Sequence, residues 1–95
     1  MFSAGELAQF ERDGYIVVRG LAVPDECAAL KAIAQRDLEA QKAPVEYEAD
    51  TKYPGAPVSL DAPGGRTVRR LLQACARDPA IGRWATQPAI AERLR

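Results

Sequence analysis

The run Leu7-Ala8-Gln9-Phe10-Glu11-Arg12-Asp13-Gly14-Tyr15-Ile16-Val17-Val18-Arg19-Gly20-Leu21 decides the reading of the fold. Leu7 and Phe10 lie three apart, as on one helical face, and Asp13-Gly14 supplies residues that tolerate the left-handed turn closing a helix. Just upstream, Ser3-Ala4-Gly5-Glu6 reads as a capping box, in which hydroxyl and carboxylate each satisfy an orphan backbone N–H of the other residue. A helix over about residues 4–12 follows. Tyr15 to Arg19 is then rich in β-branched and aromatic residues and closes on Gly20, which predicts a strand over 15–19. Its apolar residues are continuous, the pattern of a strand covered on both faces. A lone strand cannot satisfy its backbone groups, and the other strand pattern in the chain, the short Val45-Glu46-Tyr47-Glu48, is weak. The sheet is therefore expected to be incomplete within these residues.

Outward from that run the chain turns helical. Pro24 suits a first helical turn, and Asp25 and Glu26 suit the positive end of the helix dipole, which predicts a helix over about 24–41. Its apolar stripe is Cys27, Leu30, Ile33, Ala34 and Leu38, with Lys31, Gln35, Arg36 and Glu39 facing water. Between 44 and 65, Pro44, Pro54, Pro57 and Pro63 with Gly55, Gly64 and Gly65 block long regular elements and predict a loop, with Val45–Glu48 as its one edge-strand pattern. A loop this long is often functional or packed against other protein. Val68, Leu71, Leu72 and Cys75 then fit one face of a helix over 67–77. Asp78-Pro79 reads as N-cap and first-turn proline for a helix over 79–85, and Gln87-Pro88 repeats the device for one over 88–94. That last helix has no capping residue after it. The expected class is α+β, mostly helical, in a single segment over 1–95.

Composition bounds the function. With 95 residues, 47% apolar and 27% charged, the chain suits one small soluble domain with a thin margin of stability. The formal charge of zero hides an asymmetry: residues 1–64 hold 6 basic against 11 acidic side chains, and residues 65–95 hold 7 Arg against Asp78 and Glu92. The two halves should attract each other or separate partners, while a neutral total with few aromatics gives nucleic-acid binding little support. No apolar run nears the length of a membrane span, and Met1-Phe2-Ser3-Ala4-Gly5-Glu6 lacks the features of a signal peptide, so a cytoplasmic setting is the expectation. There is no histidine, and Cys27 and Cys75 lie far apart, outside any metal spacing. They are expected to be buried free thiols, and an ordinary catalytic metal site is not available to this chain.

The remaining chemistry is sparse. Glu46, Glu48 and Asp50 form an acidic group without the dense, Gly-punctuated spacing of a calcium loop, so a solvated loop is the plainer reading. Ala62-Pro63-Gly64-Gly65-Arg66-Thr67 enters a basic stretch in the manner of an anion-binding turn, but lacks the Walker pattern, and turn chemistry also explains its glycines. Arg66, Arg69 and Arg70 are the candidate contacts, for an anionic ligand, an interface, or an internal carboxylate such as Asp61. Ile81 and Trp84 read as core or interface.

The opening run, followed by Pro24-Asp25-Glu26-Cys27-Ala28-Ala29-Leu30, resembles the start of the phytanoyl-CoA dioxygenase family: a short helix, an F-x-R-D-G-Y-V-V-V-R-G-L phrase, and a helix beginning with proline and two acids. Val68-Arg69-Arg70-Leu71-Leu72, Arg77-Asp78-Pro79 and Pro88-Ala89-Ile90 resemble that family's helical region ahead of its core. The resemblance covers most of the chain, least firmly in the Pro/Gly loop, and its first phrase is shared more loosely by other iron oxygenases. It implies an N-terminal helical layer with one or two strands of an incomplete double-stranded β-helix, or jelly roll. The parent enzyme would use iron(II) and 2-oxoglutarate to hydroxylate a small or lipid-like molecule. Its iron ligands, a His-x-Asp pair and a distant His, match nothing in these residues, and its 2-oxoglutarate arginine lies late in the family's chain, so Arg69 and Arg70 do not take that role. On this reading the chain is an N-terminal fragment, inactive alone, binding no cofactor itself, whose partner is the remainder of the jelly roll. The alternatives are a small non-catalytic binding module using its Arg-rich C-terminal half on a protein partner, and an unrelated small structural protein.

Overall fold

Helix ends are where local chemistry acts most visibly in the computed structural model, which describes residues 1–95. Helix α1 spans Ala4–Asp13, with the Ser3/Glu6 capping box formed in both directions and Gly14 in the left-handed region at φ 78°. Helix α2 spans Pro24–Glu39, with the Glu26 carboxylate accepting from the Val23 N–H at 3.3 Å. It stops two residues short of the expected end, and Gln41 takes a positive φ of 46°. Strand β1 is Val45–Tyr47 and leads into a 3-10 turn at Glu48–Asp50, so the edge-strand pattern in the long loop is realised. Strand β2 is Val68–Leu71, followed by a single helical turn α3, Ala74–Arg77. Helix α4, Pro79–Ala85, is capped by the Asp78 carboxylate, which accepts from the Ala80 N–H at 2.9 Å. The last turn, α5, covers Pro88–Ala91 rather than running to 94, and Gln87 caps nothing with its side chain; it donates instead to the Leu21 carbonyl at 3.4 Å.

Two expectations are corrected here. The helix expected over 67–77 is a strand and then one helical turn, because Val68–Leu71 pairs antiparallel with β1. The register is Val45 with Leu71, Glu46 with Arg70 and Tyr47 with Val68, which leaves Arg69 as the extra residue of a bulge. That bulge explains the misreading: it puts Val68 and Leu71 on one face at a spacing of three, the spacing of a helix, in a strand that would otherwise alternate. The second correction concerns Tyr15–Arg19, which is extended but enters no sheet. No backbone N–H or C=O from Tyr15 to Arg19 makes a backbone hydrogen bond. Exposure alternates along it: Tyr15, Val17 and Arg19 face outward, while Ile16 and Val18 are half-buried. It therefore has the geometry of a strand covered on one face only.

Packing follows from these placements. The elements that lie most closely against each other are β1 with β2, α3 with α4, and α2 with β2. The chain measures 53 × 31 × 21 Å, with a radius of gyration of 18.1 Å, against about 12 Å for a packed chain of this length. Its accessible surface is 7165 Å², roughly 1,800 Å² more than a packed monomer of this mass exposes. No apolar side chain is buried; Asp37 and Gly65 are the buried residues. Of the α2 stripe, Leu30 and Ile33 are half-buried and Leu38 is 46% exposed. Both thiols are exposed rather than buried, because the face of α2 at Cys27 is uncovered and Cys75 sits on a single helical turn. No helix is long and apolar enough to cross a membrane.

Candidate functional site

The two-stranded sheet separates its side chains by chemistry. Val45, Tyr47, Val68 and Leu71 share one face, and Glu46 and Arg70 meet on the other, directly across from each other. Arg70 grips Glu46 with both arms of its fork, Nε to Oε1 at 3.0 Å and Nη2 to Oε2 at 2.7 Å. The bulge turns Arg69 the same way, its Nε 3.6 Å from Glu46 Oε1. Hydrogen bonding from Arg70 is the main cause that holds the Glu46 carboxyl below its ordinary range; partial burial opposes it, and the charges of Arg70 and Arg69 add to it. The same bond pushes the Arg70 guanidinium up. Arg69 also lies over the Tyr53 ring, 5.9 Å from its centroid. The Tyr53 hydroxyl donates to Glu48 Oε2 at 2.9 Å, and that bond, helped by desolvation and the Glu48 charge, pushes the phenol up.

Of the three candidate arginines, the structure thus brings Arg69 and Arg70 together on Glu46 and leaves Arg66 apart, 3.4 Å from Asp61. Each lies against a carboxylate of the chain itself, so an anion arriving here would have to displace a built-in partner. One glycine of this loop, Gly65, has a steric task. Gly65 is buried, and a Cβ there would meet the Leu60 carbonyl oxygen at 2.8 Å and the Ser59 carbonyl oxygen closer still, while its own carbonyl accepts from Ala49 at 3.2 Å. Only glycine lets the chain at 65 lie this close to the Ser59–Leu60 backbone.

The most enclosed chemistry lies elsewhere. Asp37 sits on α2 with its side chain 1% exposed, facing Arg77 of α3 at 5%. Arg77 Nη1 donates to Asp37 Oδ2 at 3.3 Å and to the Lys42 carbonyl at 2.8 Å, Nε donates to the Leu72 carbonyl at 2.8 Å, and Nη2 donates to the Pro44 carbonyl. Arg36 closes the other side, Nε to Asp37 Oδ1 at 3.0 Å, and reaches Asp78 at 3.7 Å. Desolvation works to raise the Asp37 carboxyl, but the hydrogen bonds of Arg36 and Arg77 and the charges of Arg36 and Lys42 outweigh it and hold the group below its ordinary range. One guanidinium thereby ties the end of α2, the entry to β1 and the exit from β2. Sequence reasoning passed over this pair. Its signal was that Asp37 falls four residues after Ile33 and seven after Leu30, an acid on the apolar stripe.

Two further concavities lie apart from these groups. One lies between α2 and α4, lined by Glu26, Ala29, Leu30, Arg83 and Trp84, with the Trp84 indole N–H lacking an acceptor. The other is wholly apolar, formed by Phe2, Leu7, Phe10 and Ile16 where α1 meets the Tyr15–Arg19 run. Neither gathers titratable groups for acid–base work.

An iron centre does not fit these residues: there is no histidine, and no three Cys, Asp or Glu side chains converge as a ligand set. The chain matches no family model, no curated protein and no solved structure.

Proposed function

We propose that this chain is the N-terminal helical layer of an iron(II)/2-oxoglutarate-dependent oxygenase of the phytanoyl-CoA dioxygenase type, and that it is not catalytic by itself. On this reading it works in the cytoplasm, its partner is a jelly-roll core that carries the iron, the 2-oxoglutarate and the small or lipid-like substrate, and its own contribution is to complete and brace that core. The observation that carries the reading is a coincidence of place. The phrase Gly14-Tyr15-Ile16-Val17-Val18-Arg19-Gly20 bears the resemblance, and its centre, Tyr15–Arg19, is an extended run left without backbone partners. A surface excess of roughly 1,800 Å² with no buried apolar side chain is what half of a divided core would present.

The second reading, a binding module using the Arg-rich C-terminal half, has less to draw on. Arg66, Arg69, Arg70, Arg77 and Arg93 already face carboxylates of the chain, which leaves Arg83 and Arg95 without an ion pair. Two measurements test the proposal. The purified chain should hold iron(II) only at background and should not decarboxylate 2-oxoglutarate; stoichiometric iron with coupled turnover overturns the claim that it is non-catalytic. The reading frame beyond the Arg95 codon should encode a His-x-Asp pair followed by a distant His, and a frame without them removes the parent enzyme.

A further inference from the structure

We propose that Tyr15–Arg19 is a self-complementary edge, and that two copies of this chain associate by pairing these runs antiparallel about Val17. The inference concerns this 95-residue chain, in which the run is open, and does not rest on the oxygenase reading. Every backbone donor and acceptor from Tyr15 to Arg19 is free of backbone partners, and Tyr15 and Val17 are 61% and 56% exposed. An extended run in this state is a template for strand addition.

The choice of a second copy comes from symmetry in the run itself. Gly14 and Gly20, with φ of 78° and 69°, break the extended backbone at both ends and lie equally far from Val17. Antiparallel pairing centred there sets Gly14 against Gly20, Tyr15 against Arg19, Ile16 against Val18 and Val17 against itself, with no overhang at either end. On the outward face, each Arg19 guanidinium then stands opposite a Tyr15 ring, a favourable cation–π pair made twice. The two Arg19 side chains fall at opposite ends, whereas a parallel pairing would set them side by side. Ile16 and Val18 point back to their own chain, where Ile16 joins Phe2, Leu7 and Phe10, so the paired ribbon keeps its inner face covered.

Sedimentation of the 95-residue chain over a concentration series should show a monomer–dimer equilibrium. Val17→Pro, which removes a central N–H, should weaken it by at least about tenfold. Register is read by cross-linking in a Cys27→Ser, Cys75→Ser background. Val17→Cys should form a disulfide dimer on mild oxidation, Ile16→Cys alone and Val18→Cys alone should do so poorly, and a mixture of the last two should cross-link to each other. A chain that is monomeric throughout, open-ended oligomers, a dimer indifferent to Val17→Pro, or efficient cross-linking of Ile16→Cys to itself each overturns the proposal. Because iron binding and the downstream frame do not enter these readouts, failure here is separate from failure of the oxygenase reading.

Discussion

The segment from α2 to α4 and the arm formed by residues 1–23 are held in opposite ways. In the first, the ordering contact is a buried ion pair: Arg77 satisfies Asp37 and three backbone carbonyls at once. In the arm, the side chains are more apolar and the ties fewer. Arg93 reaches Glu6 at 3.7 Å and lies 5.9 Å over the Phe2 ring, and Gln87 touches the Leu21 carbonyl. Hydrophobic burial normally dominates folding, yet here the best-formed interior is polar and the apolar surface is left on the outside. The difference teaches that directed bonds can fix the geometry of a small chain while its apolar side chains stay largely at the surface.

The largest effect should come from Arg77→Ala, which strips the Lys42 and Leu72 carbonyls of their donor and leaves Asp37 with Arg36 alone and the Pro44 carbonyl with the Leu72 N–H alone. The melting temperature followed by circular dichroism should fall by about 15 °C or more. Retention of the wild-type melt would mean that the ion pair does not order this segment. Acid should act through the same place. The folded pKa of Asp37 lies below its unfolded value of ~3.9. Its contribution is therefore fully present above that value and lost as the pH falls through the lowered folded pKa. The melting temperature should hold from neutrality to about pH 4 and drop below it, with a smaller acid drop in Asp37→Asn. Glu46 and Glu6, also held low, supply the remainder of the drop.

Gly65→Ala should lower the melt by several degrees, since the added methyl has no room against the Leu60 carbonyl; the backbone at 65 is not left-handed, so the loss is steric. Arg93→Ala sharpens the contrast from the other side: it should leave the main melt within a few degrees while amide exchange in α1 accelerates. Equal acceleration in α2 would show that arm and body unfold together. The smallest effect belongs to the cysteines. Both thiols should react with a thiol reagent in the native protein, and the double Cys→Ser variant should melt as the parent does; slow labelling of either would place it in an interior that the arm or a second copy covers.

What was legible in the sequence was mostly punctuation. Ser3 with Glu6, Asp13-Gly14, Pro24 and Asp78-Pro79 mark helix ends through bonds made within a few residues, so local pattern sufficed for them. The short strand Val45–Tyr47 was also visible, because Val45 and Tyr47 alternate around Glu46. Its partner was not, since the bulge at Arg69 gives Val68 and Leu71 a helical spacing and only the pairing across the intervening loop reveals a strand. The arginines divide in the same manner. An internal carboxylate such as Asp61 was one of the alternatives open for Arg66, Arg69 and Arg70, and Asp61 lies five residues from Arg66. The grip of Arg77 on Asp37 spans 40 positions, with no local signature beyond an acid on an apolar stripe.

The reach of Arg77 has one more consequence. Its guanidinium binds the chain at Lys42 and Pro44 and again at Leu72, so it acts as a clasp on a closed length of polypeptide. Once the ends of a loop are fastened, the entropy of closing it grows only with the logarithm of its length. The outer part of that loop, where Val58 is 93% exposed, is therefore the place where this small protein can accept inserted residues without loosening what lies beneath the clasp.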